Sequence, residues 1–407
     1  MEERMSTTMN IKKTLKSNTI FIALVVVMLF FQLLITATGN GSLFSPGNIT
    51  NIINQNAYVV VLATGMLCCI LTGGNIDLSV GSIVCLVGAI AGTLIVNLGW
   101  NIYLTIFLCL IVGILIGAWH GMWIAYIHIP PFIVTLAGML LWRGVALIIL
   151  NGLTISPMPD GYLALFSSYI PVISEEQWDA DFDGAKSSIY AVTMVVALLC
   201  CAAYVVMEFV SRNNKKRKGY EVPGMAGFVI KLVLLSAVIL FVANLLGQDQ
   251  GLPIILVIVA VIVAIYAYYT KNTVSGRYLY ALGGNAKAAQ LSGVNTDKVM
   301  FFAYTNMGFL SAVAALMCVA RFNSAAPTAG QNYEMDAISS CFIGGASAYG
   351  GTGTVSGAVI GAIFMGVLNN GMSILGIDSN WQKAVKGLVL LLAVLFDVVS
   401  KKRKGGK

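Results

Sequence analysis

The sequence predicts an all-α polytopic membrane protein, and three observations carry the prediction. Of 407 residues, 58% are hydrophobic and only 10% charged, whereas soluble domains carry about 25% charged residues. The apolar residues come in runs of about twenty, long enough to cross a roughly 30 Å hydrocarbon core as a helix. The basic residues gather in short clusters between these runs instead of spreading along the chain.

Apolar windows predict spans at 19–38, 52–73, 78–97, 102–127 and 131–151, then at 188–210, 226–247, 252–270, 298–320, 355–376 and 381–399. Arg4, Lys12, Lys13 and Lys16, the segment Arg212–Lys218, the segment Lys271–Lys298, and Lys401, Lys402, Arg403, Lys404 and Lys407 belong in the cytoplasm by the positive-inside rule. The segment 151–187 belongs outside, because it holds Asp160, Glu175, Glu176, Asp179, Asp181 and Asp183 against one lysine. Ile20–Ile35 follows a basic stretch, as the core of a signal peptide would. It is longer than such a core and TGNGS is a poor cleavage site, so it reads as an uncleaved first span. The organisation is then a cytoplasmic tail at 1–18, one transmembrane domain at 19–399 with a cytoplasmic loop at 271–298, and a basic cytoplasmic tail at 400–407.

Parity adds a constraint. Eight crossings bring the chain back inside at Lys271, and the ninth takes it out again. An inside C-terminus then requires one crossing more than the two remaining apolar runs supply. AISSCFIGGASAY at 337–349 supplies it, although at about 1.5 Å per residue it covers barely 20 Å. About 10–12 transmembrane helices are expected, some short or broken. Broken helices in membranes line cavities or are buried in protein, because their freed backbone groups need partners. Two glycine-rich breaks stand out, GGNIDLSVGS (73–82) and GGASAYGGTGTVSG (344–357), and together they resemble a faint internal repeat. Glycines four residues apart (Gly113, Gly117 and Gly121; Gly88 and Gly92; Gly357 and Gly361) predict close helix packing. The eight cysteines lie in or beside apolar runs without metal-site spacing and read as small packing residues.

The loop Lys271–Lys298 contains a short helix with both ends marked. Gly283 and Gly284 break the chain and Asn285 can cap the first amides. Residues 286–292 favour helix, and Gly293 can take the left-handed conformation that ends it. So short a helix is marginal alone in water, which fits either a docking element steadied by a partner or an ordinary amphipathic loop.

Ionisable residues within or beside the spans cost about 2.5–3.5 kcal/mol each at mid-membrane. Glu208, Lys231, Lys386 and Asp397 lie near helix ends, where lysines can snorkel. Asp77 either caps the helix after it or lines a path. Arg143 is the most deeply placed charge and needs water or a partner, with Asp77, Glu334 and Asp336 the candidates. Asn75, Ser79, Asn306, Ser356, Asn369 and Asn370 suit a path for a polyhydroxylated solute, and equally suit bonds between helices. His120 and His128 are too few for a metal site. No Walker motif completes the glycine-rich 344–353 stretch, so ATP hydrolysis by that route is excluded. The basic clusters each abut an apolar run, which argues against nucleic-acid binding.

Five motifs, GGNIDLSVGS, IPPFIVTLAGMLLWRG, GRYLYALGGNAKAAQLSGVN, YEMDAISSCFIGGASAYGGTGTVSGAVIGA and NWQKAVKGLVLLLAVLFD, occur in order between Phe44 and Asp397. This stretch resembles the permease subunits of bacterial monosaccharide ABC importers. The hairpin at 226–270 and VLNNGMSILGI look most like the xylose and multiple-monosaccharide branch. The resemblance implies a type II (vitamin B12-permease-like) fold in the bacterial inner or plasma membrane, with both termini cytoplasmic. It implies a non-catalytic permease that binds no cofactor itself and works with a second copy, an ATPase subunit holding ATP and Mg, and an extracytoplasmic sugar-binding protein. The sugar would be of the xylose, arabinose, glucose or galactose class. Gly283, Gly284, Asn285, Ala286, Ala289, Leu291, Ser292 and Gly293 would couple to the ATPase. Asn75, Asp77, Ser79, Arg143, Glu334, Asp336, Asn369 and Asn370 would line the path or gate it. One departure is His120 in GAWHG, where related permeases often carry Asn or Gln. Alternatives are a related branched-chain amino acid permease, an ATP-independent secondary carrier and an intramembrane enzyme. The last lacks a cluster of carboxylates or histidines at a membrane face.

Overall fold

A computed structural model describes residues 19–172, 182–220, 222 and 224–405. The N-terminal basic cluster, Glu175, Glu176, Asp179, Asp181 and Lys407 lie outside these residues. The described chain is almost wholly helical, and ten of its helices are long and apolar enough to cross a membrane. Its internal contacts divide it into two compact units. One comprises the described parts of 1–40, 55–167 and 257–407, the other 41–54 and 168–256.

In chain order the helices are α1 (Thr19–Ala37), α2 (Pro46–Leu71), α3 (Val80–Gly92, extended by a π turn, Thr93–Asn97) and α4 (Ile102–Gly121, extended by a π turn, Met122–Tyr126). They continue with α5 (Pro131–Leu150), the short α6 (Asp160–Phe166), α7 (Phe182–Arg217), α8 (Met225–Gly247) and α9 (Ile254–Asn272). The last are α10 (Val274–Gly284), α11 (Ala286–Leu291), α12 (Thr296–Phe322), α13 (Tyr333–Ile343), α14 (Val355–Ile374) and α15 (Ser379–Gly405). Every expected span has its helix, with shifted ends. Thus α2 starts at Pro46, where proline suits a first helical turn. α7 runs 36 residues, about 54 Å, well past the apolar window. α15 continues to Gly405 through the stretch expected to be a tail.

The core of the larger unit is α12, which is buried along most of its length and rich in alanine. The glycine stripe of α4 lies along it. A Cβ on Gly113 would meet Gly308 and Ala312, one on Gly117 would meet Tyr304 and Thr305, and one on Gly121 would meet Phe301. The expected close packing is therefore what these glycines do. Gly88 and Gly92 of α3 face Val319 and Ala325, while Gly357 and Gly361 of α14 face the backbone at Gly344 and Ser340. The smaller unit centres on the α7–α8 hairpin, tied by Tyr190 Oη donating to Asn244 Oδ1 at 3.0 Å and by a Lys231–Glu208 ion pair at 2.7 Å. It also holds a two-residue antiparallel ladder, β1 (Tyr169–Ile170) against β2 (Leu252–Pro253).

Candidate functional site

The loop helix forms as its residues dictate. Thr273 accepts from the Gly276 amide at 3.0 Å and opens α10, a helix that sequence analysis did not anticipate. The chain turns at Asn285 (φ −160°, ψ 100°), whose Oδ1 accepts from the Ala288 amide at 3.0 Å to cap α11. Ser292 closes the helix and Gly293, at φ +86°, turns the chain away. Ala289 is buried, whereas Leu291 is 90% exposed, an apolar side chain offered to solvent at the tip.

Gly283 and Gly284 are not the break they were expected to be. Both belong to the last turn of α10, and the turn comes one residue later. What Gly283 supplies is closeness: a Cβ there would overlap the Leu71 carbonyl oxygen and the Gly351 amide nitrogen. Gly284 has open space where its Cβ would be.

Through Gly283 the loop touches the second glycine-rich break and the end of α2, just before the first. The Gly351 amide donates to Leu71 O at 3.1 Å, and Tyr280 Oη donates to Gly353 O at 3.0 Å. Burial raises the Tyr280 phenol pKa above its usual 10.0, so it remains the protonated donor. The breaks also meet each other, since a Cβ on Gly74 would overlap Ala348 O and one on Gly350 would press on Gly73. The two stretches that looked like a repeat therefore lie backbone to backbone. Asp397, expected to have no role, accepts from the Ala348 amide at 3.3 Å and holds the second break from α15.

α13 has 11 residues, about 16 Å, half of what a span needs. The glycine loop after it reaches Leu71 and Gly283, so the stretch expected to cross at 337–349 is a short helix followed by a packed loop. The N-terminal ends of α3 and α13 meet where Gly81 and Gly330 abut, with Glu334 Oε2 beside them. Gly88 sits at the level of Val319, and Gly81 is seven residues, about 10 Å, before it along α3. This junction is therefore near the middle of α12.

The expected path residues fall into separate polar groups. Asp77 is fully buried, and its Oδ1 accepts from the Ser79 amide at 2.9 Å and the Ser79 hydroxyl at 2.6 Å. That turn leads into α3, so Asp77 orders the helix start without being its N-cap; its Oδ2 has no partner. Ser79 Oγ lies 3.5 Å from His120 Nδ1, and Trp142 Nε1 donates to His120 Nε2 at 3.2 Å. Asn75 bonds locally to Thr72 Oγ1 at 3.1 Å.

Although Glu334 is within electrostatic reach, Arg143 makes no salt bridge with the carboxylates expected as its partner. It donates to Pro327 O at 3.3 Å and Ala329 O at 2.5 Å, pinning the loop before α13. Asp336 instead pairs with Lys386 at 2.9 Å, so this lysine is an interior partner, not a snorkelling one. Asn370 is buried, and Asn369 Oδ1 is buried without a hydrogen-bond partner. Asn306 accepts from Tyr266 Oη.

A family model described as "Branched-chain amino acid transport system / permease component" matches residues 48–394. The chain belongs to this permease family. The xylose transport system permease protein of Escherichia coli (strain K12) is 36% identical over 381 residues, covering 94% of this chain and 91% of that protein. Its counterpart in Haemophilus influenzae is 36% identical over 382 residues, covering 94% and 96%. The ribose import permease protein of Haemophilus influenzae is 32% identical over 377 residues, covering 93% and 91%. No solved structure matches the chain.

In this permease the residues that sequence reasoning overlooked are the fasteners, Tyr280, Asp397, Lys386 and Trp142. Each bonds to a residue far away in the chain, so no local pattern marks it. In outline, α10 is packed through Gly283 against the end of α2 and the second break, and the capped α11 with its exposed leucine follows it. The two breaks meet each other and lead to a polar junction midway along α12. Among the described residues no three His, Cys, Asp or Glu side chains gather as a metal site would require.

Proposed function

We propose that the chain is the non-catalytic, membrane-spanning subunit of an ATP-driven, binding-protein-dependent importer of monosaccharides of the xylose, arabinose, glucose or galactose class. The observation that carries this is the wedge at Gly283, where the α10–α11 segment, Leu71 and Gly351 meet without a side chain between them. Relatives that match over more than nine-tenths of the chain are xylose and ribose permeases, and they support the sugar.

The importer works in a bacterial inner or plasma membrane with both termini in the cytoplasm. A loaded binding protein docks on the outer face. A separate ATPase subunit, holding ATP and Mg, grips Asn285–Gly293 of each of two permease copies. Its closure moves α10, and α10 moves the breaks, so that the sugar passes between the copies without chemical change. Asn75, Asp77, Ser79, Arg143, Glu334, Asp336, Asn369 and Asn370 shape or gate the passage. The chain itself holds no cofactor.

Uptake of radiolabelled xylose, arabinose, glucose and galactose into vesicles, with and without the ATPase partner, tests the reading. Uptake of one of them that requires ATP and the partner is expected. Accumulation by the purified chain alone, driven by an ion gradient, would overturn it. The family description favours one rival, a carrier of branched-chain amino acids; leucine uptake in the same vesicles without sugar uptake would establish that rival.

A further inference from the structure

A cavity of about 310 Å³ opens where the last turn of α9, α10 and the first turns of α12 come together. Leu279 and Val299 line it, with Tyr269 and Phe302 in contact at 5.7 Å between ring centres. Its mouth is polar, formed by Ser275, Tyr278, Asn295 and Lys298. Asn295 spends its Oδ1 on the Lys298 amide at 2.9 Å, which leaves its two amide hydrogens as donors. Among the described residues no carboxylate pairs with Lys298, nor with Lys271 and Arg277 on the adjoining turns. The acid next to Lys298 in sequence, Asp297, accepts from Thr296 Oγ1 at 3.3 Å. Lys298 thus stands without a carboxylate partner at the mouth of an aromatic slot, with Lys271 and Arg277 within a few residues of its lining in sequence.

The slot also continues along the membrane. Phe302 is 43% exposed on α12, and Tyr268 and Ile265 are exposed on α9, so an apolar track leads from the cavity along two spanning helices. This combination matches one class of ligand, with a phosphate at its head and hydrocarbon chains behind. We infer that the cavity binds an anionic phospholipid. Lys298, Asn295 and Ser275 take the phosphate, Lys271 and Arg277 supply the surrounding positive potential, and Phe302 supports an acyl chain. Basic pockets between membrane helices bind anionic headgroups by the same chemistry. A zwitterionic lipid brings its own ammonium to the three cations and gains nothing from them.

The test needs neither ATPase nor sugar, so its failure is distinct from failure of the transport reading. The full-length permease is placed in nanodiscs of phosphatidylcholine with or without phosphatidylglycerol, and lipids retained on the released protein are counted by native mass spectrometry. Wild type is expected to retain phosphatidylglycerol selectively. Lys298→Gln should lower that retention about fivefold, the factor a single interfacial lysine contributes. Lys298→Arg should keep it, and Phe302→Ala should shorten residence without abolishing the headgroup preference. Lys215→Gln, in the other basic segment, should change nothing. Equal retention in wild type and Lys298→Gln would overturn the proposal, as would an equal loss in Lys215→Gln. Displacement of the lipid by millimolar inorganic phosphate would assign the mouth to free phosphate and overturn it too. Occlusion of the cavity by the second permease copy, seen as a dimer lost in Phe302→Ala with lipid retention unchanged, would likewise reject it.

Discussion

The two glycine-rich breaks resemble each other only faintly in sequence, and they are fastened to different things. The first, 73–82, is held by hydrogen bonds without an ion pair. Asp77 turns back onto Ser79, and Ser79 leans on His120, which Trp142 holds from α5. The second, 344–357, is held by α10 and α15 through Tyr280 and Asp397, while the short helix before it is tied to α15 by the Asp336–Lys386 pair. The difference teaches where force enters. On the coupling proposed above, a displaced α10 would pull on the second break, and the first would follow because Gly74 lies against the Ala348 backbone and Gly350 against Gly73. Two buried carboxylates sharpen the contrast. Asp336 has a cation and Asp77 has none.

The largest expected effect breaks that contrast at Lys386. Lys386→Met leaves Asp336 buried without its cation and should destabilise the protein by about 3–5 kcal/mol. Asp336→Leu combined with Lys386→Met should recover most of the loss. Thermal unfolding of the purified proteins measures both, and a single variant as stable as wild type would mean the pair holds nothing together.

Next in size is Gly283→Val. The new side chain would collide with the backbone of Leu71 and Gly351, separating the loop from α2 and the second break. ATP hydrolysis by the assembled importer should persist while uptake falls more than about tenfold, a loss of over 1.4 kcal/mol of coupling. Gly227→Ala, with open space around it on α8, is the control and should leave uptake unchanged.

Asp77 gives the third comparison. Asp77→Asn keeps an oxygen to accept from Ser79 and should keep both fold and uptake. Asp77→Ala leaves the Ser79 amide and hydroxyl buried without an acceptor and should cost about 1–3 kcal/mol. Equal damage in both variants, measured by unfolding and by uptake, would show that the negative charge matters and not the turn it builds.

How far these features could be read from sequence follows from their range. The spans, the Asn285 cap and the left-handed Gly293 were legible because each depends on neighbours within a few residues. The helical stripe of α4 was legible because its period is local, even though the surface it packs on is not. Gly283 was misread as a break, because its constraint comes from Leu71 and Gly351, which no window around residue 283 contains. Arg143 was expected to need a carboxylate. Its guanidinium carries five donors, and the turn at 327–329 offers carbonyls at the right depth. Lys386 was taken to reach for the surface for a similar reason: its partner lies 50 residues earlier in the chain. Sequence supplied the elements and their local punctuation, while the fasteners between the breaks are products of tertiary proximity.

The smallest effect tests the thinnest link, Tyr280. Tyr280→Phe removes one hydroxyl from a half-buried ring and leaves Gly353 O to find water, a change of about 0.5–1.5 kcal/mol. If α10 pulls on the second break through this bond as well as through Gly283, the number of sugars moved per ATP should fall about two- to threefold, with little change in melting temperature. The pH dependence fixes the sign. Burial raises the Tyr280 pKa above the usual 10.0, so the protonated donor is favoured in the fold and its contribution is complete at any pH below 10. It declines only as pH rises beyond that value. The difference between wild type and Tyr280→Phe should therefore be constant from pH 6 to pH 9. A difference that changes across that range would place the effect on some other titrating group and remove Tyr280 from the linkage.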